Sequence, residues 1–318
     1  MRNDVPTIFA TMVSNPVEGQ VRWAPVKSLW WFAMASGGIV AIVEYASWGG
    51  VLVFLISSAA TLCLGHSLGM HRRLIHRSYE CPLWMERLFV YLGTLVGMAG
   101  PLGMTRTHDM RDWAQRQASC HDYFAHRRSF WCDAWWQLHC ELHLVHPPRF
   151  EPPAELLRDR VLMGVERSWM LQQLPWAILL GAVGGVGWVL WGVCLRVVVS
   201  LTGHWLVGHF AHRRGHRSWH VAGAGVQGHN VGGCGLITFG ECWHNNHHAF
   251  PGSARLGLYA GQADPGWWVL CGLQRFGWVW NVTVPAALPP RAELQALEGE
   301  AESVQRALPA RPPHRSSS

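Results

Sequence analysis

His244, His247 and His248 stand in the run His-Asn-Asn-His-His, at positions i, i+3 and i+4. On a helix these positions share one face, so neutral imidazoles there can converge on a transition metal such as iron, zinc or copper. Phe239 and Trp243 precede the run, and Phe250 and Pro251 follow it, which argues against a solvated histidine patch. His71 and His76 form a second pair, spaced HxxxxH. Five α-helical steps leave them about 140° apart around the axis, so they could reach two metals, or one with local distortion. His212 ends an apolar segment at the membrane depth expected for His71. The middle of the chain offers His108-Asp-Met-Arg-Asp112, then His121 and His126, then His139, His143 and His146. His108 and Asp112 are i, i+4 and could bind one metal as a histidine–carboxylate pair. Arg111 between them cannot ligate, because guanidinium stays protonated. His139 and His143 share that spacing, but their surroundings suit an amphipathic surface helix equally well.

Apolar helices must position these side chains. Of 318 residues, 49% are hydrophobic and 14% charged, against roughly 25% charged in soluble domains. The 20 tryptophans and net charge of +6 fit a membrane protein with basic flanks. Nine cysteines occur without a CxxC pair, which removes zinc-ribbon and thioredoxin readings and leaves reduced, structural thiols. Residues 1–27 contain no compact apolar run of the signal-peptide kind. Four stretches approach the roughly 20 apolar residues of a spanning helix. They are Leu29 to Trp48, Val51 to His66, Leu174 to Trp191, and Val193 to Leu206 with a continuation to about Phe210.

The joints at Trp48-Gly49-Gly50 and Trp191-Gly192 carry no charge, whereas Arg72, Arg73, Arg77, Arg106, Arg111, Arg116, Arg213 and Arg214 crowd the other segments. By the positive-inside rule, both termini and these segments face the cytoplasm. All nineteen histidines except His314 then lie on that side or at helix ends facing it. The apolar stretch Leu88 to Met104, rich in glycine, reads as a helix against the cytoplasmic interface. The expected fold is all-α: an integral, multi-pass membrane protein with four transmembrane helices and a cytoplasmic helical cap. An arm (1–27), a membrane unit (28–285) and a polar tail (286–318) divide the chain. Arg291 to Ala307 could form a polar helix in that tail, with the remainder disordered.

The run Gly69-Met-His-Arg-Arg-Leu-Ile-His-Arg-Ser-Tyr79 resembles the first histidine box of the membrane fatty acyl desaturases, the stearoyl-CoA type in particular. Phe239-Gly-Glu-Cys-Trp-His-Asn-Asn-His-His-Ala-Phe-Pro251 is similar to that family's third box, and His204 to His212 to the end of its fourth span, where His212 takes the place of a ligand. The likeness covers roughly residues 28 to 285. Two departures stand out. The family's second box is HxxHH; here only His108 has a counterpart, and the last two positions are Arg111 and Asp112. Gly208 stands where the family has an asparagine that reaches one iron through water.

The resemblance implies a desaturase that uses two non-haem Fe ions and dioxygen to remove hydrogens from adjacent methylenes of a fatty acyl chain, CoA-bound or lipid-linked. It implies metal ligands at His71, His76, His108, His212, His244, His247 and His248; Asp112, or His121 and His126 folding back, could fill the gap in the second box. Asp109, Asp112, Asp122 and Glu241 are candidates for orienting the rings. Arg106, Arg111 and Arg116 could meet an anionic head group, or could simply mark topology. A separate ferredoxin, rubredoxin or cytochrome would deliver electrons, and nucleic acid is not an expected partner. A lipid hydroxylase or acetylenase could use the same site. A histidine-rich metal transporter would instead place ionisable residues along the spans, which are nearly free of them except Glu44, while the histidines gather at one face.

Overall fold

The computed structural model describes residues 6–297. Among the described residues, three helical runs are long and apolar enough to cross a membrane: Pro25–Glu44, Trp48–Ile75 and Gln173–Ala211. Leu29, Ile39 and Val43 on the first, Leu52 and Ile56 on the second, and Ile178, Val183 and Val199 on the third stay exposed. A contiguous apolar surface of this extent is unfavourable in water and natural in lipid.

Pro25 opens the 25–44 helix, where its fixed φ suits the first turn. The chain reverses at 45–47, and Ser47 caps the next helix by accepting from Gly50 N–H. The helix changes winding at Ala60. Through Ala60–Ile75 its backbone bonds run i→i+5, and the wide turn ends with His76 N–H donating to His71 C=O at 3.0 Å.

The 173–211 run is two antiparallel helices. Gly185 has φ 70° and ψ −170°, a conformation open to glycine and strained for other residues. Gly184 lies against the Trp188 ring with no room for a Cβ, and Leu180 packs on Gly192. The sequence places this break at Trp191-Gly192, but the helix runs unbroken through that pair. Both residues serve packing instead: Trp191 Nε1 donates to Tyr45 C=O at 2.9 Å, and Gly192 leaves room for Leu180 and Val53. Arg196 is fully buried, donating to the carbonyls of Gly192 and Leu95 and to Gln173 Oε1. Tyr45 also lies against Gly187, so the two reversals are neighbours. The far ends of both hairpins, with His71, His76 and His212, meet at the opposite end of the bundle.

Beside the wide helix lies Leu83–Thr94. The backbones touch where a Cβ on Gly65 would come 2.3 Å from Gly93 N. Leu68, Tyr79, Met85, Phe89 and Leu270 form one buried cluster that locks the two helices to Pro265–Arg275, each side chain contributing about 1.5–3 kcal/mol. The stretch Leu88 to Met104 is not one interfacial helix. It breaks at 95–100, with Gly97 at φ 87°, before Pro101–Arg116 begins. Arg196 and Gln173 satisfy the Leu95 carbonyl at the break.

The chain is predominantly helical rather than all-α. Among the described residues, three two-stranded antiparallel ladders pair Ile8–Phe9 with Arg149–Phe150, Gly19–Trp23 with Cys140–Leu144, and Trp219–Val221 with Leu294–Ala296. The second replaces the amphipathic helix considered for His139 and His143: the 130–139 helix ends at His139, and His143 lies in a strand. Val21, Leu142 and Leu144 pack beneath Tyr123 and Trp136, which rewards alternation rather than helical spacing. Residues 286–297, expected within a disordered tail, follow the third box closely. Arg291 donates to the carbonyls of His248 and Ala249, both at 2.9 Å, before the chain adds its strand. The rest of that tail, most of the expected Arg291 to Ala307 helix and residues 1–5 lie outside the described residues. All nine cysteines are free thiols.

Candidate metal centre

Seven imidazoles gather in two groups. Ring nitrogens of His71, His76, His108 and His247 lie within 4.8 Å of one another, and so do those of His212, His244 and His248. The wide winding explains the first pair. An i→i+5 turn brings residues five apart nearly into line, where an α-helix would leave them splayed. The His71 and His76 rings are accordingly 4.8 Å apart. His108 arrives from the 101–116 helix, 5.3 Å from His71 and 4.9 Å from His76. His247 completes the group, at 4.6 and 4.8 Å from the same rings.

The third box therefore divides. His247 joins the first group, while His244 and His248 join His212, with Nε2 of His244 2.9 Å from that of His212 and 3.0 Å from that of His248. The box occupies a short helix, His244–Ala249, fixed by its two asparagines. Asn245 Oδ1 accepts from the N–H groups of Ser218 and Trp219, and its Nδ2 donates to the carbonyls of Trp219 and Gly228. Asn246 Oδ1 accepts from Asn230, and its Nδ2 donates to Leu256 C=O and Gln262 Oε1. Arg72, between the first-box histidines, bonds Asp264 at 2.7 Å and Ala254 C=O at 2.7 Å, tying the two boxes' segments together.

The donor set suits a metal. His76 Nε2 and His247 Nδ1 are buried without a hydrogen-bond partner among the described residues. Such orphans cost about 1–3 kcal/mol each unless something takes their lone pairs. Burial pushes His76, His212, His247 and His248 well below the ordinary histidine range and His244 to about 3, with neighbouring histidines adding to the effect. The rings are thus neutral near pH 7, with lone pairs free to coordinate. Glu241 stands behind His71, with Oε2 2.7 Å from Nδ1. Burial alone would raise its carboxyl, but His71 and Arg72 outweigh that and hold it well below the usual range. Asp109 stands behind His108 at 3.0 Å and also accepts from Thr7 Oγ1.

Other residues singled out by sequence lie elsewhere. Asp112 pairs with Arg116 at 2.7 Å and belongs to neither group. His121 accepts from Tyr123 N–H at 3.1 Å, capping a short helix. Asp122 pairs with Arg128. Arg106 and Arg116 are exposed. Arg111 turns inward, with Nη1 2.5 Å from His126 Nε2.

A third constellation escapes sequence spacing altogether: His126, Asp133 and His209, all buried. Asp133 Oδ2 accepts from Nδ1 of His126 at 2.9 Å, Nδ1 of His209 at 2.7 Å and Nε1 of Trp205 at 2.9 Å. The residues come from three separate elements, and only the pair His209 and His212 on one helix hinted that more than one ring points this way. The asparagines of the third box were likewise legible only as spacers.

No family model matches the chain. It is 31% identical over 272 residues to the sn-1 stearoyl-lipid 9-desaturase of Anabaena variabilis, covering 85% of this chain and 97% of that protein. It is 30% identical over 246 residues to the acyl-CoA 5-desaturase AL21 of Anemone leveillei, covering 77% and 75% respectively. It is also 30% identical over 238 residues to the sn-2 palmitoyl-lipid 9-desaturase of Nostoc sp. (strain 36), covering 73% and 81%. These relatives favour desaturation over the hydroxylase, acetylenase and transporter readings. Likeness over nearly the full length of one such relative, together with histidine boxes that meet in space, establishes that the chain belongs to the fatty acyl desaturases, oxidoreductases of lipid metabolism.

Proposed function

We propose that this desaturase introduces a double bond into a fatty acyl chain, with dioxygen, at a pair of non-haem irons. His71, His76, His108 and His247 would hold one iron, and His212, His244 and His248 the other. The observation that carries this reading is the division of seven imidazoles into two adjacent groups. Asp112 and His121 fall outside the proposed ligand set. When bound, the irons and dioxygen supply the oxidising power that an unactivated C–H bond demands and that no side-chain acid or base offers.

The chain's own residues fix the geometry. Glu241 and Asp109 lie beside Nδ1 of His71 and His108, and with the proton on that nitrogen the opposite one would be left for the metal. The 173–184 and 186–211 helices cross in opposite senses, giving four crossings with the 25–44 and 48–75 helices. The basic residues around the boxes support a cytoplasmic setting for both termini and the metal centre. The relatives named for lipid-linked and CoA-linked acyl chains support an acyl substrate on either carrier. Arg106 and Arg116, both exposed, would meet its anionic head group, and a separate ferredoxin, rubredoxin or cytochrome would supply electrons.

Expression in a host of defined lipid composition, with double bonds profiled with and without oxygen, tests this reading. New double bonds that need both oxygen and the intact chain are expected, with two irons per purified protein. A zinc-only protein, or an unchanged acyl profile, would overturn it.

A further inference from the structure

Arg111 replaces a histidine of the resembled second box, and its surroundings are unusual for a cation. Nη1 lies 2.5 Å from His126 Nε2, and Nη2 donates to Gln137 Oε1 at 2.8 Å. Among the described residues no carboxylate pairs with it. Gln137 is itself fixed, donating to Tyr123 C=O at 2.7 Å.

His126 has the support of a metal ligand. It is 2% exposed, and Asp133 binds its Nδ1 at 2.9 Å. A carboxylate there keeps the proton on Nδ1 and the lone pair on Nε2, the tautomer that ligating histidines use. Asp133 is immobilised in turn by His209 and Trp205. The His126 ring lies parallel to that of His212, 5.4 Å away at 6°. A Cβ at Gly208 would stand 3.1 Å from Nε2, so the glycine leaves the ring its space. The lone pair of this prepared imidazole faces a guanidinium.

We propose that Arg111 and His126 gate the second metal. With Nη1 on His126 Nε2, the site offers only the imidazoles of His212, His244 and His248, beside a fixed positive charge. When the guanidinium turns away, His126, held by Asp133, supplies a fourth nitrogen. The proposal rests on the two-metal reading above and explains how the centre works without two of the expected second-box histidines.

The test is titration of the full-length, detergent-purified protein, stripped of metal, with cobalt(II). Two binding steps are expected, the weaker at least about tenfold behind the stronger, in keeping with the 10–100-fold effects of groups that support ligands. Arg111→Gln should tighten the weaker step about tenfold or more, while Arg111→Lys, which keeps the charge, should not. Adding His126→Ala to Arg111→Gln should erase the gain. An unchanged stronger step in each variant reports that the protein remains folded. A weaker step indifferent to Arg111→Gln, or a gain that survives loss of His126, overturns the gate and leaves the two-metal reading standing. A wild-type protein that binds no second cobalt, with His247→Ala and His248→Ala losing the same single step, overturns both.

Discussion

The two halves of the metal centre share one short helix yet are built differently. His71, His76, His108 and His247 come from three elements, and two of the four have a carboxylate behind them. His212, His244 and His248 come from two, and His212 Nδ1 rests on the Gly208 carbonyl at 2.8 Å. The carboxylate near this second half, Asp133, supports His126 instead. The half with four rings has charged support behind two of them, while the half with three has none behind its own rings among the described residues.

The comparison can be broken at several points. The largest effect is expected at His247→Ala, which should empty the four-histidine half and lower desaturation at least about 100-fold while the protein still inserts; metal content and acyl profiles of membranes check this. Full activity in that variant would sink the assignment. Glu241→Gln should weaken metal binding by the first half about 10–100-fold and leave the second half unaffected, read by equilibrium dialysis. Asn245→Ala strands buried backbone groups of Ser218, Trp219 and Gly228. It should cost on the order of 3 kcal/mol and lower the thermal midpoint of the purified protein, damaging both halves together. The smallest effect is expected at Asp112→Ala. Its ion pair with the exposed Arg116 is worth under about 1 kcal/mol, and iron content should not change.

These contrasts follow how far the residues could be read in order. The apolar helices and six of the seven imidazoles are legible because each signal is local: a run of apolar residues, or histidines three to five apart; His108 stands alone and is marked by Asp112 four residues on and by the family resemblance. The convergence of His71 with His76 was obscured, since a sequence does not announce i→i+5 winding. The hairpin turn was misplaced because Gly184-Gly185 lies inside an apolar run, whereas Trp191-Gly192 has the composition of an interface. Asp112 attracted attention by its spacing from His108, but Arg116 lies one turn further on and claims it. His126, Asp133 and His209 form a constellation only after three elements have folded together.

The wide winding of Ala60–Ile75 has a consequence for how this chain can change. Between His71 and His76 the number of residues matters independently of their kind. Removing one residue and restoring ordinary winding would leave the two histidines four apart, still on one helix face, whereas adding one would leave them six apart and about 120° round the axis. Substitutions within that interval disturb single contacts, such as that of Arg72 with Asp264. An added residue would part the two rings and dismantle the four-histidine half, so that interval is bounded against insertion more tightly than against replacement.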